Sequence, residues 1–241
     1  MDDFAERNQR MVAALAGDAA VQTLTREWFA AVSRHEYSYH FTWLGLPIIQ
    51  FPQDIVAMQE LLWRVKPDLV IETGVARGGS LIFYASMLEL IGHGHVVGID
   101  IDIRALNRVA IESHPMFKRI TLLEGSSVDE AVVVQVRKMA RDKERVLVVL
   151  DSNHTHDHVL RELELYSPLV TRDSYLVAFD TVVEFMPSEF SAYRPWKRGD
   201  NAYTAVQAFL TRSDRFVVDR EIEQRLQITV APGGYLRCVR D

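Results

Sequence analysis

The sequence predicts an α/β fold: a mostly parallel, Rossmann-like sheet of seven strands with helices on both faces and an antiparallel strand pair at its C-terminal end. Three observations carry this. From Leu69 onward, short apolar runs alternate with segments of helical periodicity, the rhythm of βαβ units. The first run, Leu69-Val70-Ile71, passes through Glu72 and Thr73 into a turn holding Gly74, Gly78 and Gly79, then opens into an apolar-periodic segment. Toward the C-terminus, two apolar stretches lie too close together for a crossover helix and must pair antiparallel.

The elements follow in order. Residues 1–34 read as helical, with Met11, Val12 and Leu15, then Leu24, Trp28 and Val32, at helical spacing. The stretch 37–51 is aromatic and broken by Gly45, Pro47 and Pro52, so it reads as a loop: a lid or ligand wall, or an aromatic plug on the sheet. Residues 1–52 are thereby set off as an N-terminal extension, a lid or an oligomer contact, from a domain over 53–241. Asp54 is a candidate N-cap for a helix carrying Ile55, Met58, Leu62 and Val65 and ended by Pro67. Parallel strands are expected over 69–73, 96–100, 120–124, 146–151 and 175–180, with helices over 80–91, 104–112, 128–142 and 157–166. A helix near 202–212, strands over 215–222 and 226–230, and a turn at Pro232-Gly233-Gly234 complete the chain.

Composition narrows the function classes. The 241 residues carry a formal net charge of −6, from Lys+Arg 27 against Asp+Glu 33, which argues against a nucleic-acid partner. The single cysteine, Cys238, excludes an intrachain disulfide framework and fits a reducing compartment. The polar, acidic start MDDFAERNQR is unlike a signal peptide, and no run of 18 apolar residues exists. The expectation is a soluble, cytoplasmic protein with no membrane association.

Right-handed crossovers put the C-terminal end of every parallel strand on one sheet edge, where open α/β sheets bind ligands. Acids gather there: Glu72, Asp100, Glu124, Asp151 and Asp180. Gly74-x-Ala76-x-x-Gly79 narrowly misses the dinucleotide fingerprint. Gly74-x-x-x-Gly78-x-Ser80 behind Glu72 has instead the form found in enzymes that bind S-adenosylmethionine. A carboxylate suits the cationic amino group of a methionine moiety and would repel a pyrophosphate. Asp100, 21 residues past Gly79, stands where an acid binds ribose hydroxyls, unless it is only a solvated strand end. Ser126 and Ser127 fit an adenine contact or a turn equally well. Asp151 and Asp180, at the ends of adjacent strands, would repel one another unless a hard cation such as Mg²⁺ lay between them. The alternative is one helix cap and one solvated acid. His154 suits the deprotonation of a hydroxyl near neutral pH. With His156 and His158 it forms an H-x-H-x-H run, but no cysteine or second ligand cluster accompanies it as a zinc site would require.

Three motifs together, Trp43-Leu44-Gly45-Leu46-Pro47-Ile48-Ile49-Gln50, Ile71 through Ser80, and Gly98-Ile99-Asp100-Ile101-Asp102, resemble the cephalosporin hydroxylase family. That family has the class I methyltransferase fold and is related to metal-dependent macrolide sugar O-methyltransferases and, more distantly, to catechol O-methyltransferase. The resemblance spans about residues 40–181. It implies that Glu72, Gly74, Gly78 and Ser80 belong to the S-adenosyl-L-methionine site, that Asp100 is its ribose acid, and that Asp151 and Asp180 hold a metal, expected to be Mg²⁺; Arg77 and Ser126 are further candidate cofactor contacts. It also implies that His154 acts as the base beside Asp151. The family carries Glu-Asp where this chain has Phe179-Asp180. Catechol-type members have Asp-Asn, which Asp180-Thr181 approaches, so Thr181 is the candidate third metal ligand.

The resulting expectation is an S-adenosylmethionine- and Mg²⁺-dependent O-methyltransferase acting on a hydroxyl of a small molecule, such as a glycoside, and forming a homo-oligomer. The segment 183–201, with Phe185, Phe190, Tyr193 and Trp196 among basic residues, is the expected acceptor loop. Two rivals are an NAD-dependent oxidoreductase, which leaves Glu72 and the Asp151/Asp180 pair without a role, and a non-catalytic nucleotide-binding subunit.

Overall fold

A computed structural model of the chain describes residues 3–241. Seven strands form one sheet: β3 (Leu69–Thr73), β4 (His95–Asp100), β5 (Ile120–Glu124), β6 (Val146–Leu150), β7 (Tyr175–Ala178), β8 (Phe216–Val218) and β9 (Tyr235–Cys238). Their spatial order is β5-β4-β3-β6-β7-β9-β8, with β9 antiparallel to both its neighbours and the other pairings parallel. The order reverses direction between β3 and β6, which makes a crevice beyond the ends of those two strands. A separate two-stranded hairpin, β1 (Thr42–Trp43) with β2 (Leu46–Pro47), precedes the sheet.

The central strands are buried on both faces, which is why they read as continuous apolar runs. Alternation along β3 sends Val70 to one apolar layer and Leu69 and Ile71 to the other. The first layer is completed by α3 (Pro52–Val65) and α4 (Gly79–Ile91), the second by α6 (Glu130–Ala140), α7 (His156–Tyr166) and α8 (Ala202–Leu210). By the same alternation Glu72 shares the face of Val70 and looks onto α4. Its burial beside Ser80 and Tyr84 is thus set by register.

The N-terminal part forms α1 (Asp3–Gly17) and α2 (Ala19–Ser33), capped at Asp18. No residue of α1 is buried, whereas α2 buries Phe29, which stacks on Phe51 with ring centroids 4.8 Å apart. Phe29, Ile48 and Phe51 belong to the same apolar layer as α3 and α4. The aromatic loop is fastened down by Trp43, which meets Phe83 at 4.7 Å and donates to Ser86 Oγ at 3.0 Å. Among the described residues, no helix is long and apolar enough to cross a membrane.

Two expectations are corrected. Asp54 is not an N-cap: Phe51 holds that position, and Asp54 lies one turn in, fully buried. There its carboxylate accepts from the hydroxyls of Thr229 and Tyr235 and from the Val230 amide at 2.9 Å, fastening the C-terminal segment to α3. The strands expected over 215–222 and 226–230 are instead β8, a helix α9 (Arg220–Leu226) and an irregular stretch before β9. Ile222 and Leu226 stand four residues apart and dock one helical face on the first layer. Ile228 and Val230 follow with strand-like spacing, but the Val230 amide is taken by Asp54 rather than by a sheet ladder.

Candidate active site

The crevice between β3 and β6 holds a cavity of about 230 Å³ lined by Gly74, Ala76, Asp100, Ile101, Ser126, Ser127, Asp151, Ser152, Asn153 and His158, among others. It meets a narrower cleft lined by Pro47, Gln50, Arg77, Gly78, Gly79 and Ser80, the two sharing Gly74, Ala76 and Asp151. A roomier hollow of about 510 Å³ lies beside Asp68, His95 and Arg145, at the opposite, N-terminal ends of the strands. It gathers no acids from the strand ends, and Asp68 there is already paired with the Arg145 amide and His93.

Each end of the crevice is built locally. Gly74 has φ +95°, and a Cβ there would stand 2.1 Å from the Asp151 carbonyl oxygen. A Cβ on Gly79 would stand 2.2 Å from the Pro47 carbonyl oxygen. These glycines therefore let backbone meet backbone: one seats the β3 turn on the end of β6, the other seats the hairpin on the start of α4. Asp100 accepts from the Val75 and Ala76 amides at 2.8 and 3.2 Å and from the Asp102 amide at 3.1 Å. It shapes the glycine turn while still lining the cavity.

Glu72 is fully buried and accepts from Ser80 Oγ at 2.8 Å. Burial dominates and lifts its pKa to about 8, against the opposing hydrogen bonds from Ser80 and Tyr84. Tyr84 approaches this carboxylate, but among the described residues Oε1 makes no hydrogen bond of normal length and angle. A lone buried acceptor of this kind fits a cationic N–H donor. Among the described residues no lysine or arginine pairs with it; Arg77 lines the cleft and is exposed.

The second half of the site is acidic. Asp151, His154 and Asp180 each present one ligand atom within 4.8 Å of the others, the only such group of His, Cys, Asp or Glu among the described residues. His154 Nε2 lies 3.1 Å from Asp180 Oδ2. Asp151 is pushed well above the usual carboxylate range, first by burial, then by the charges of Asp180, Glu72 and Glu162. Uncompensated negative charge around hard oxygen donors is the chemistry a divalent cation relieves. Asp180 sits at φ +56°, in the left-handed region that non-glycine residues seldom occupy, a conformation that clusters at functional sites.

The remaining expected residues divide. The Thr181 hydroxyl donates to the Pro232 carbonyl oxygen at 2.8 Å, with the side chain fully buried, whereas His154 joins the two aspartates. Phe179 is buried against Tyr235, centroids 6.4 Å apart, so the position before Asp180 adds apolar packing rather than a carboxylate. The histidine run does not converge: His156 Nδ1 bonds Thr204 Oγ1 at 2.8 Å, and His158 Nε2 lies 3.1 Å from Ser127 Oγ and 3.4 Å from Glu162 Oε1. Sequence reasoning missed Glu162, a fully buried acid that accepts from Ser152 Oγ at 2.8 Å and so holds the loop after Asp151. It also missed Gln50, whose Nε2 donates to Asp151 Oδ2 at 3.1 Å. The i, i+4 pair His158 and Glu162 was a visible signal for the first; Gln50 closed the Trp43–Gln50 motif, but nothing in that motif gave it a role. Beside the Asp151, His154 and Asp180 group, Trp196 meets His154 edge to face at 5.9 Å, with Phe190 and Arg194 against its ring.

Known proteins share this arrangement of elements. The chain is 30% identical over 199 residues to the rhamnosyl O-methyltransferase of Mycobacterium bovis, covering 81% of this chain and 77% of that one. It is 29% identical over 198 residues to that of Mycobacterium leprae, covering 81% and 82%. A solved structure of CmcI with Mg and SAM superposes with a TM-score of 0.59 at 21% identity, covering 84% of this chain and 78% of that one. The Rhamnosyl O-methyltransferase/CmcI family model matches residues 35–239, and the chain belongs to that family, with the class I methyltransferase fold.

Proposed function

We propose that this protein transfers the methyl group of S-adenosylmethionine to a hydroxyl of a sugar-bearing acceptor, with Asp151 and Asp180 holding a divalent cation such as Mg²⁺. The observation that carries the reading is the convergence of Asp151, His154 and Asp180 beside a crevice lined by Asp151 and Ser80, with Glu72 buried against Ser80. The relatives' names support a rhamnosyl acceptor. In the crevice, Glu72 receives the amino group of the methionine tail, with Gly74, Arg77, Gly78 and Ser80 around it. Asp100 and Ser126 receive the nucleoside. A bound cation would supply Lewis acidity that lowers the pKa of an acceptor hydroxyl. His154, oriented by Asp180, takes the hydroxyl proton, and exposed Phe190, packed on Trp196, offers a flat apolar face for a sugar ring. Placing both substrates in one crevice supplies much of the acceleration.

The proximity of a His154 ring nitrogen to both carboxylates favours a second role for it, as third metal ligand in place of Thr181. His154→Ala separates the two. As base, it loses about 10²–10⁴-fold in methyl transfer, less at high pH, with metal affinity kept; as ligand, it weakens Mn²⁺ binding followed by electron paramagnetic resonance. Full activity of this variant in excess EDTA sinks both. An NAD-dependent oxidoreductase is disfavoured by the acidic crevice. A non-catalytic subunit would bind cofactor without any metal response. The proposal extends to a second copy docking on residues 1–34, supported by exposed Met11 and Leu24 and by α1 burying nothing. Light scattering that finds a monomer at micromolar concentration removes that part. The buried lone Cys238 accords with a reducing, cytoplasmic setting.

A further inference from the structure

We propose that Gln50 is a binding residue for the amino-acid tail of the cofactor: its side-chain carbonyl oxygen accepts a hydrogen bond from the tail's α-ammonium group. This rests on the methyltransferase reading above and assigns a contact that neither the motifs nor the relatives supply.

Gln50 is 5% exposed and lines the narrow cleft together with Gly74, Gly79, Ser80 and Asp151. Its Nε2 donates to Asp151 Oδ2 at 3.1 Å. A carboxylate offers acceptors, so this bond decides which end of the amide faces Asp151. Oε1 is thereby turned to the other side, where it has no hydrogen-bond partner among the described residues. Buried acceptors in native proteins are nearly always satisfied, and a solitary one in a binding cleft marks where a donor arrives. A second buried oxygen without a hydrogen bond of normal geometry, Glu72 Oε1, belongs to the carboxyl group that Ser80, also lining the cleft, bonds. Glu72 and Gln50 are linked through Asp151, which feels the charge of the first and bonds the second. Two unsatisfied oxygens, one on an acid, call for a ligand with several N–H donors and positive charge. An alkylammonium has three donors and no acceptor.

The position of Gln50 is fixed well enough to serve. Ile48 is buried and its amide donates to the Phe41 carbonyl oxygen at 3.0 Å, Pro47 rests on Gly79, and Phe51 stacks on Phe29. A side chain delivered from such a segment loses little freedom on binding.

Calorimetry on wild type and Gln50→Leu tests this with three ligands: S-adenosylhomocysteine, its analogue with hydrogen in place of the α-amino group, and 5′-methylthioadenosine, which lacks the tail. The variant should lose about tenfold in affinity for S-adenosylhomocysteine, the worth of one hydrogen bond to a charged group. It should lose less than about twofold for the other two, because the interaction is absent from those pairs. Equal losses for all three ligands would mean that Gln50 only shapes the cleft, and no loss for any would mean that it does not touch the tail; either result overturns the proposal. A misfolded variant would show itself by failing to bind 5′-methylthioadenosine, in which case Gln50→Met is read instead. Wild type binding none of the three would overturn the methyltransferase reading itself and this inference with it.

Discussion

The two halves of the crevice are assembled by different means. At the ends of β3 and β4, the acids are tied to partners within one βαβ unit: Ser80 bonds Glu72 from eight residues away, and Asp100 holds the Val75 and Ala76 amides from 25 and 24 residues away. At the ends of β6 and β7, the supports come from afar. Gln50 reaches Asp151 across 101 residues, and Asp180 is followed by Thr181 and Val182, which bond Pro232 and Val230. Asp54 in turn holds Val230 across 176 residues. The proposed cofactor half is thus held within one βαβ unit, whereas the proposed metal half needs the whole fold to be in place.

The largest expected effect breaks the halves apart. Asp180→Asn tolerates the left-handed backbone that Asp180 adopts but removes its charge. Methyl transfer to a rhamnosyl acceptor should fall by about 10³-fold, consistent with losing several kcal/mol of metal-borne stabilisation, and EDTA should do the same to wild type. Affinity for S-adenosylhomocysteine should stay within about twofold, since Asp180 lines neither the cavity nor the narrow cleft. If activity survives EDTA, the metal role goes and the cofactor half stands.

That asymmetry also explains what could be read from the sequence. The five parallel strands, the turn from Glu72 to Ser80 and Asp100 rest on apolar runs and glycine spacing, signals contained in short stretches. Asp151 and Asp180 were legible as strand ends. The left-handed turn at Asp180 was not, nor was the hold of Pro232 on Thr181, because both depend on a segment about 50 residues away. Asp54 misled for the same reason. An acid near a helix start resembles a cap, and only the fold shows that its partners are Thr229, Val230 and Tyr235. The C-terminal strands failed where helix and strand periods compete over few residues, and tertiary docking of Ile222 and Leu226 decided for helix.

A middle-sized effect sharpens the cofactor half. Glu72→Gln keeps the shape and the Ser80 contact but leaves no charge for an ammonium. Affinity for S-adenosylmethionine should drop by about 10- to 100-fold, the worth of a charge-assisted hydrogen bond, with metal binding unchanged. Asp100→Ala should weaken binding by a similar factor and also lower the melting temperature, because the Val75 and Ala76 amides lose their acceptor. Calorimetry showing unchanged affinity in both variants would remove the cofactor assignment.

The smallest effect concerns the stability of the ligand-free protein against pH. Glu72 has an ordinary carboxylate pKa when unfolded and about 8 when folded. Between those values the folded state carries the proton and the unfolded state does not, so unfolding releases it and becomes more favourable as pH rises. The group therefore costs nothing at pH 4, costs progressively more through neutrality, and reaches its full cost above pH 8. Asp54, raised to about 6 by burial, has the same sign, but its contribution is complete near pH 6. From pH 6 to 8 the protons that set the slope include that of Glu72. Glu72→Gln removes one of those protons and should flatten the denaturant-derived stability curve by up to about 1.4 kcal/mol per pH unit across that window. An ammonium-bearing ligand on Glu72 should do likewise in wild type, since binding the charged carboxylate expels the proton before unfolding can. Near pH 7, S-adenosylhomocysteine binding should then release close to one proton, read from calorimetry in buffers of different ionisation enthalpy. Binding that releases no proton, with an unaltered slope in Glu72→Gln, would mean that Glu72 is already charged in the ligand-free protein and that its burial is compensated.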